Sequence, residues 1–590
     1  MSYQRLSDDA PDAEITRIPS FNVLQPDKSP RSPQYHHHRR ASTRSRVSIA
    51  GKTWFIQPPW SSAATHTAIS IAAGTVMCLF GYEQGVFGGI IVGTEFNEYF
   101  NEPSPSLVGF VTSVYDLGCF AGAVLTLFVG EMLGRKRMLI VFTIIMASGI
   151  VLQTVAQDMQ WLLWGRFIAG IGNGGNTATA PVWHVETSHQ NAKGQAVVKE
   201  MVVNVLGFVV SNIITLACSG ITTEAQWRFP LGIQLFYIVV ILMLVPILPE
   251  SPRWLCAKNR DAEAKAMLEV LSEEDVEEEF KSIKESVRKE QAVQVSWAKI
   301  FKGGTATRRM LLGMGLQVAQ QLTGINVLCY YLPLVLHKSV GLSELASRLL
   351  ATGNAVCYML ATAASLLFIE RLGRRPLLMA MAAAQSVAFL GISISTEIGH
   401  ENGAHIPGIV ATIFISMYFL AFGFGWVATP WLYPAEVNSL SMRTKGAALA
   451  TACDWLFNYF VVQTTPIGIH HLKWGLYLVY SVLNAAFVPL IYFFIVETAG
   501  KSLEQIDRWF AAHPGWFVHK IRDRSDEEDE GEERDVRAPL KHQESDESDS
   551  MVKDFERRYD GSLERSRRRT SGESLYKVGS RDSEGDDYET

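Results

Sequence analysis

The segments GEMLGRK at residues 130–136 and ERLGRRP at residues 370–376 are two copies of one pattern. Two further pairs follow in the same order: HVETS (184–188) with PAEVNS (434–439), and PESPRWL (249–255) with VETAGKSL (496–503). Arg135 and Arg374 stand 239 residues apart, Glu186 and Glu436 stand 250 apart, and Glu250 and Glu497 stand 247 apart. Three anchors at nearly constant offset mark a tandem duplication. In a membrane chain, parallel duplication of six spans implies two bundles related by an axis along the membrane normal, with a substrate site between them near mid-membrane.

The distribution of apolar residues makes this a membrane chain. Of 590 residues 48% are hydrophobic, yet the first sixty and the last seventy are almost entirely polar. The apolar residues therefore crowd into about twelve runs near the ~20 residues that a helix needs to cross a bilayer. The expected spans are 66–93, 106–128, 138–157, 160–183, 197–218, 230–248, 310–336, 346–369, 376–396, 406–433, 446–466 and 474–496. The fold class that follows is an all-α membrane protein, twelve transmembrane helices in two six-helix bundles joined by a cytosolic helical linker. Its expected parts are a tail over 1–65, a bundle over 66–255, the linker over 256–309, a second bundle over 310–510 and a tail over 511–590.

Charge placement orients the spans. Arg135, Lys136, Arg137, Lys193, Arg253, Arg371, Arg374, Arg375, Arg443 and Lys445 fall in loops on the side of the N-terminus, against Lys338 and Lys473 on the other. The positive-inside bias then predicts cytosolic termini, with the first span as the insertion signal. A net charge of −6 spread over both signs gives no case for a nucleic-acid partner. The seven cysteines show no metal-ligand or redox spacing and read as small apolar packing residues. No motif calls for a cofactor, and no nucleophile elbow or phosphate loop points to an enzyme.

PESPRWL, ERLGRR, QQLTGINVLCYY (320–331) and VETAGKSLEQID (496–507) resemble the sugar porter family of the major facilitator superfamily, over about residues 66–510. FGYEQGVFGG (80–89), NVLGFVVSN (204–212) and WRFPLGIQ (227–234) are most similar to a fungal branch with hexose, polyol and glycerol carriers. The resemblance implies alternating access of a sugar or polyol at the plasma membrane. Passive facilitation and a non-transporting nutrient sensor on the same fold remain open beside proton-coupled import.

Glu83 lies inside the first span, where a charge costs at least ~2.5 kcal/mol unless it is paired or faces water. Arg166 in the fourth span differs from it in depth by only ~6 Å at 1.5 Å per residue, so the two are expected to pair. Protonating Glu83 would loosen its hold on Arg166, a two-state element that a proton gradient can bias. The resemblance supports this coupling role, because related proton-coupled carriers have an Asp at this place. The other reading is a permanent strut that does not titrate.

Glu131, Arg135, Glu186, Glu250, Arg253, Glu370, Arg371, Arg374, Arg375, Glu436, Arg443 and Glu497 recur at helix ends in both halves. The resemblance makes them gating salt bridges that lock the bundles together at the inner face when the site opens outward. Met132 and Lys193 depart from the family pattern, each standing where Arg is usual, and lysine cannot make the bidentate carboxylate contact.

A sugar ring requires fixed hydroxyl partners and an aromatic platform. Gln320, Gln321 and Asn326 in span seven, with Asp454, Trp455 and Asn458 in span eleven, lie at matching depths, and Trp431 is the candidate aromatic floor. Gln320 and Gln321, being adjacent on a helix, cannot point the same way. Met201 and Tyr358 replace the family's usual Gln and Asn. Asp454, where a neutral amide is usual, adds a second intramembrane carboxylate. Pentoses, polyols, disaccharides and small organic acids all stay open as substrates. Basic contexts around Ser42 and around Thr570 and Ser571 offer kinase sites in tails whose composition predicts disorder.

Overall fold

The computed structural model describes residues 61–518, apart from 189–192, 272–275, 293–303, 403–404, 440–441 and 502. The basic contexts around Ser42, Thr570 and Ser571 lie outside the described residues.

All twelve expected spans are helical. They run Ser62–Ile90, Pro105–Leu133, Arg135–Thr154, Met159–Thr187 and Lys193–Ala217, with span six made of Ala225–Gly232 and Gln234–Leu244. The second half begins with Thr305–Leu322 and Ile325–Lys338, which together form span seven, then Glu344–Leu372 and Arg374–Asn402. Span ten joins His405–Ala421 to Thr429–Val437 through a π-helical turn at Phe422–Trp426, and Arg443–His471 and Trp474–Phe494 complete the set. Local chemistry sets several starts: the side chains of Ser61, Ser104, Asp158 and Ser343 each accept a backbone N–H from the first turn.

Nine of the described helices are long and apolar enough to cross a membrane by length and composition. Spans four, seven and eleven are not among them, and these carry Arg166, Gln320, Gln321, Asn326, Asp454 and Asn458, all buried. Such helices pair their polar groups with neighbours, whereas Phe128, Met243, Leu367 and Ile406 stand exposed on the outer spans as a lipid-facing surface would. In the first half, span four packs on two and three, and span one on five. In the second, nine packs on ten and twelve, and seven on eleven. The halves meet where span two lies along eleven, five along eight, and one along the second part of seven.

Span seven is broken, which its unbroken apolar run does not reveal. Gly324 sits at φ +89°, and a Cβ there would come within 2.8 Å of the Tyr480 ring and 2.9 Å of Phe389. The break frees the Thr323 carbonyl, which accepts from Asn484 Nδ2 at 2.9 Å and from Tyr418 Oη at 3.2 Å. Irregular backbone at membrane depth survives because neighbouring spans supply these donors.

Linker helices Pro252–Ala257, Asp261–Leu271 and Val276–Ala292 share a small apolar core around Trp254, Leu268 and Phe280. They dock on the first half, since Ser62 Oγ and the His66 ring both bond the Leu271 carbonyl. The C-terminal boundary moves outward from 510. Helix Leu503–Ala512 places Asp507 2.6 Å from Arg309, and Val518 N donates to Phe493 O at 2.7 Å.

Glu250 and Glu497, expected as gating salt bridges, act chiefly as caps on the third and ninth spans. Glu250 accepts from the backbone N–H groups of Arg135 (3.1 Å), Lys136 (3.2 Å) and Ser251 (2.9 Å). Glu497 accepts from those of Arg374 and Arg375, both at 2.9 Å, and of Thr498 at 3.0 Å. A carboxylate at a helix N-terminus satisfies donors that the helix itself leaves unpaired. Gly134 (φ +87°) and Gly373 (φ +82°) allow the approach, since a Cβ at either would sit 2.7 Å from the carboxylate. Burial holds the Glu250 carboxyl above its ordinary range, against the pull of these amide donors.

Gly324→Ala is expected to lower the melting temperature of the purified protein, equivalent to roughly 1–3 kcal/mol from backbone strain and the aromatic clash. Glu250→Ala and Glu497→Ala should each cost about 1–2 kcal/mol, and the two should add in the double variant because the caps are separate. An undiminished melting temperature in either single variant would contradict the cap.

Candidate functional site

The side chains of span seven diverge as adjacent helical positions must. Gln320 Nε2 donates to the Trp426 carbonyl at 2.6 Å, in the π-helical turn of span ten, whereas Gln321 Nε2 donates to Asp454 Oδ1 at 2.6 Å. Asn326 Nδ2, beyond the break, reaches both Gln321 Oε1 at 2.5 Å and Asn458 Oδ1 at 2.7 Å. Asn458 Nδ2 in turn donates to Asp116 Oδ1 at 3.2 Å, and Tyr330 Oη donates to the same oxygen at 3.1 Å. Four of the expected residues thus form one hydrogen-bonded chain, Asp454–Gln321–Asn326–Asn458, that ends on a residue of the other half.

Trp455 is fully buried, its ring 5.2 Å from Phe80 of span one across the boundary between the halves. Its Nε1 and the Oε1 of Gln320 have no hydrogen-bond partner among the described residues. Trp431 is half-buried and packs against the main core at the start of the last segment of span ten.

Asp116 is the residue that the sequence reading missed. It stands in the apolar run VTSVYDLGCF (111–120) and is fully buried. The argument applied to Glu83, a carboxylate inside a span, would have singled it out. Glu200, at the beginning of span five, was also passed over; it is buried and lies 2.6 Å from His184. Asp454 is therefore not simply the second carboxylate within the spans.

Glu83 and Arg166 meet as their depths predict, with Arg166 Nη1 3.4 Å from Glu83 Oε2 and both side chains fully buried. Arg166 is held more closely by span two, donating from Nε to Val111 O at 2.8 Å and from Nη2 to Thr112 O at 3.1 Å. Its guanidinium also lies 4.2 Å from the Phe87 ring centroid and 4.9 Å from that of Tyr115. Gln153 Nε2 is 3.5 Å from Glu83 Oε1. The arginine is anchored by carbonyls, and the carboxylate is its looser partner.

At the basic face the two halves build the same network. Arg135 pairs with Glu186 at 2.9 Å and Ser251 Oγ donates to Glu186 at 2.6 Å. Arg374 pairs with Glu436 at 3.0 Å and Thr498 Oγ1 donates to Glu436 at 2.6 Å, while Glu370 adds a two-pronged contact at 2.8 Å. These pairs join residues within one half, where a lock between bundles was expected. Arg375 donates to the Tyr492 carbonyl, Arg371 is exposed and Arg253 is half-buried in the first linker helix. The side chains of Glu131 and Arg443 lie outside the described residues.

The halves hold each other at the opposite face. Ser113 Oγ donates to Gln463 Oε1 at 2.8 Å, and Arg348 Nη1 donates to the Thr215 carbonyl at 3.1 Å.

The family described as "Sugar (and other) transporter" matches residues 68–510. "MFS-type transporter oryC" of Aspergillus oryzae is 42% identical over 469 residues, covering 77% of this chain and 87% of that protein. "Sugar transporter STL1" of Saccharomyces cerevisiae is 34% identical over 463 residues, covering 75% and 81%. Among solved structures, the proton:xylose symporter XylE bound to 6-bromo-6-deoxy-D-glucose superposes with a TM-score of 0.65 at 24% identity, over 76% of this chain and all of that one. At that identity the likeness speaks for the fold. With the duplicated motifs, the twelve spans and a family match that extends from the first span to the helix after the last, the chain belongs to the sugar transporter family of the major facilitator superfamily.

Proposed function

We propose that this protein carries a sugar or polyol across the plasma membrane by alternating access, with proton entry coupled through Glu83 and the basic face in the cytosol. The observation that carries the reading is the chain of amides and carboxylates running from Asp454 through Gln321, Asn326 and Asn458 to Asp116 between the halves. Amides supply both donors and acceptors, which a hydroxylated solute needs to replace its water shell. Relatives named as sugar and glucose transporters support the substrate class.

On this reading the described conformation is an inward-facing one. Contacts between the halves close the face opposite the basic one, and the charged clusters of the basic face pair within each half. In the outward-facing state the halves rock, the Gln463 and Arg348 contacts part, and the basic clusters approach each other.

Coupling rests on the looseness of the Glu83–Arg166 pair. A proton on Glu83 removes its charge, while Arg166 keeps the Val111 and Thr112 carbonyls and is not left unpaired. The span carrying Glu83 can then shift without dragging an unsatisfied guanidinium through the bundle.

Uptake of labelled glucose, xylose, glycerol and lactose by transporter-deficient cells tests this. Uptake of at least one solute should be faster near pH 5 than near pH 7.5. Glu83→Gln should abolish accumulation against a gradient while leaving equilibration of the solute. Uptake indifferent to pH and to the substitution would make the protein a passive facilitator. No uptake of any panel member would favour a sensor.

A further inference from the structure

Asp116 is a carboxylate with half of its capacity unused. A carboxyl group forms hydrogen bonds through both of its oxygens. Oδ1 takes both observed bonds, from Tyr330 Oη and Asn458 Nδ2, whereas Oδ2 is buried with no partner among the described residues. A buried acceptor left unsatisfied is costly, so such atoms call for an explanation. Both donors to Asp116 come from the C-terminal half, although Asp116 belongs to span two of the N-terminal half. The carboxylate thus stands across the boundary that alternating access must open, at one end of the candidate substrate site, with Asp454 at the other.

We infer that Asp116 is a substrate-contacting residue, the hydroxyl acceptor that the N-terminal half contributes, and that with Asp454 it selects neutral polyhydroxylated solutes over anions. The inference rests on the sugar or polyol reading and narrows it, since small organic acids fit the rest of the chain equally well. A hydroxyl donates to Oδ2 and can take over either donor now on Oδ1. An anionic solute would meet acceptors at both ends of the site, in surroundings that screen charge far less than water. When the halves separate at the opposite face, Asp116 loses Tyr330 and Asn458, and a solute hydroxyl replaces them. Recognition is thereby tied to closure. The bland alternative is that Asp116 only holds the halves together, in which case it affects turnover and not affinity.

The test uses the full-length carrier in liposomes, measuring uptake and competition with glucose, xylose, glycerol and the anion gluconate for wild type and Asp116→Asn. The substitution keeps the size and removes the charge. The half-saturation concentration for the neutral substrate should rise about tenfold with the maximal rate within about twofold, and gluconate should become a competitor. Substrate protection against thermal unfolding should weaken in parallel, and Asp116→Ser should behave alike where the first variant does not fold. An unchanged half-saturation concentration with a reduced maximal rate would overturn the inference and leave the sugar or polyol reading standing. So would gluconate competing equally with both proteins. A wild type that neither takes up nor is stabilised by any neutral panel member would overturn both.

Discussion

Inside a bilayer a polar group finds its hydrogen-bond partner in the protein or finds none. Most of the particular features here follow from that constraint. The break at Gly324 exists because Tyr418 and Asn484 satisfy the freed Thr323 carbonyl. Arg166 can lie fully buried because two carbonyls of span two and two aromatic faces surround it. Gln321 and Asn326 of span seven are tied into one chain of bonds, and Gln320 is tied to the Trp426 carbonyl. Among the described residues, several buried polar atoms lack partners, and Asp116 Oδ2, Trp455 Nε1 and Gln320 Oε1 are those at the candidate site.

The two halves have kept their scaffold and parted in their chemistry. Glu250 and Glu497 cap equivalent helices with backbone donors, beside glycines of the same positive φ. Glu186 and Glu436 take the same arginine and hydroxyl partners. These contacts fix the angle between consecutive spans at the basic face, which both halves need whatever they transport. The buried ion pair Glu83–Arg166 occurs in the first half and the amide chain in the second. The frame occurs twice and its two copies carry different polar groups, with Asp116 of the first half bonded to Asn458 of the second.

The same geometry explains how small shifts at the centre can become large ones at the faces. The halves meet through apolar packing, such as Phe80 on Trp455 and Phe208 on Tyr358, and through polar bonds, such as Ser113 with Gln463 and Arg348 with the Thr215 carbonyl. Polar contacts of this kind can be exchanged for water or for a solute at modest net cost, unlike interdigitated apolar packing. The capped helix ends lie within each half and are shared with its backbone.

The number, order and approximate limits of the twelve spans were legible in the sequence, because a bilayer demands apolar runs of fixed length and duplication leaves repeated motifs. The pairing of Glu83 with Arg166 was legible from depth alone, and so was the divergence of Gln320 from Gln321. Asp116 could have been read by the same rule as Glu83. Tertiary structure alone decided the rest. Whether Glu250 and Glu497 reach across the halves or cap their own depends on where a turn at Gly134 or Gly373 aims the next helix, and composition does not encode that direction. That span seven breaks at Gly324 depends on donors from spans ten and twelve, more than ninety residues away in the chain. That Asp454 and Asp116 end one chain of hydrogen bonds depends on two halves meeting. Depth along a helix follows from counting residues, but the facing of one helix toward another is set only when all of them pack.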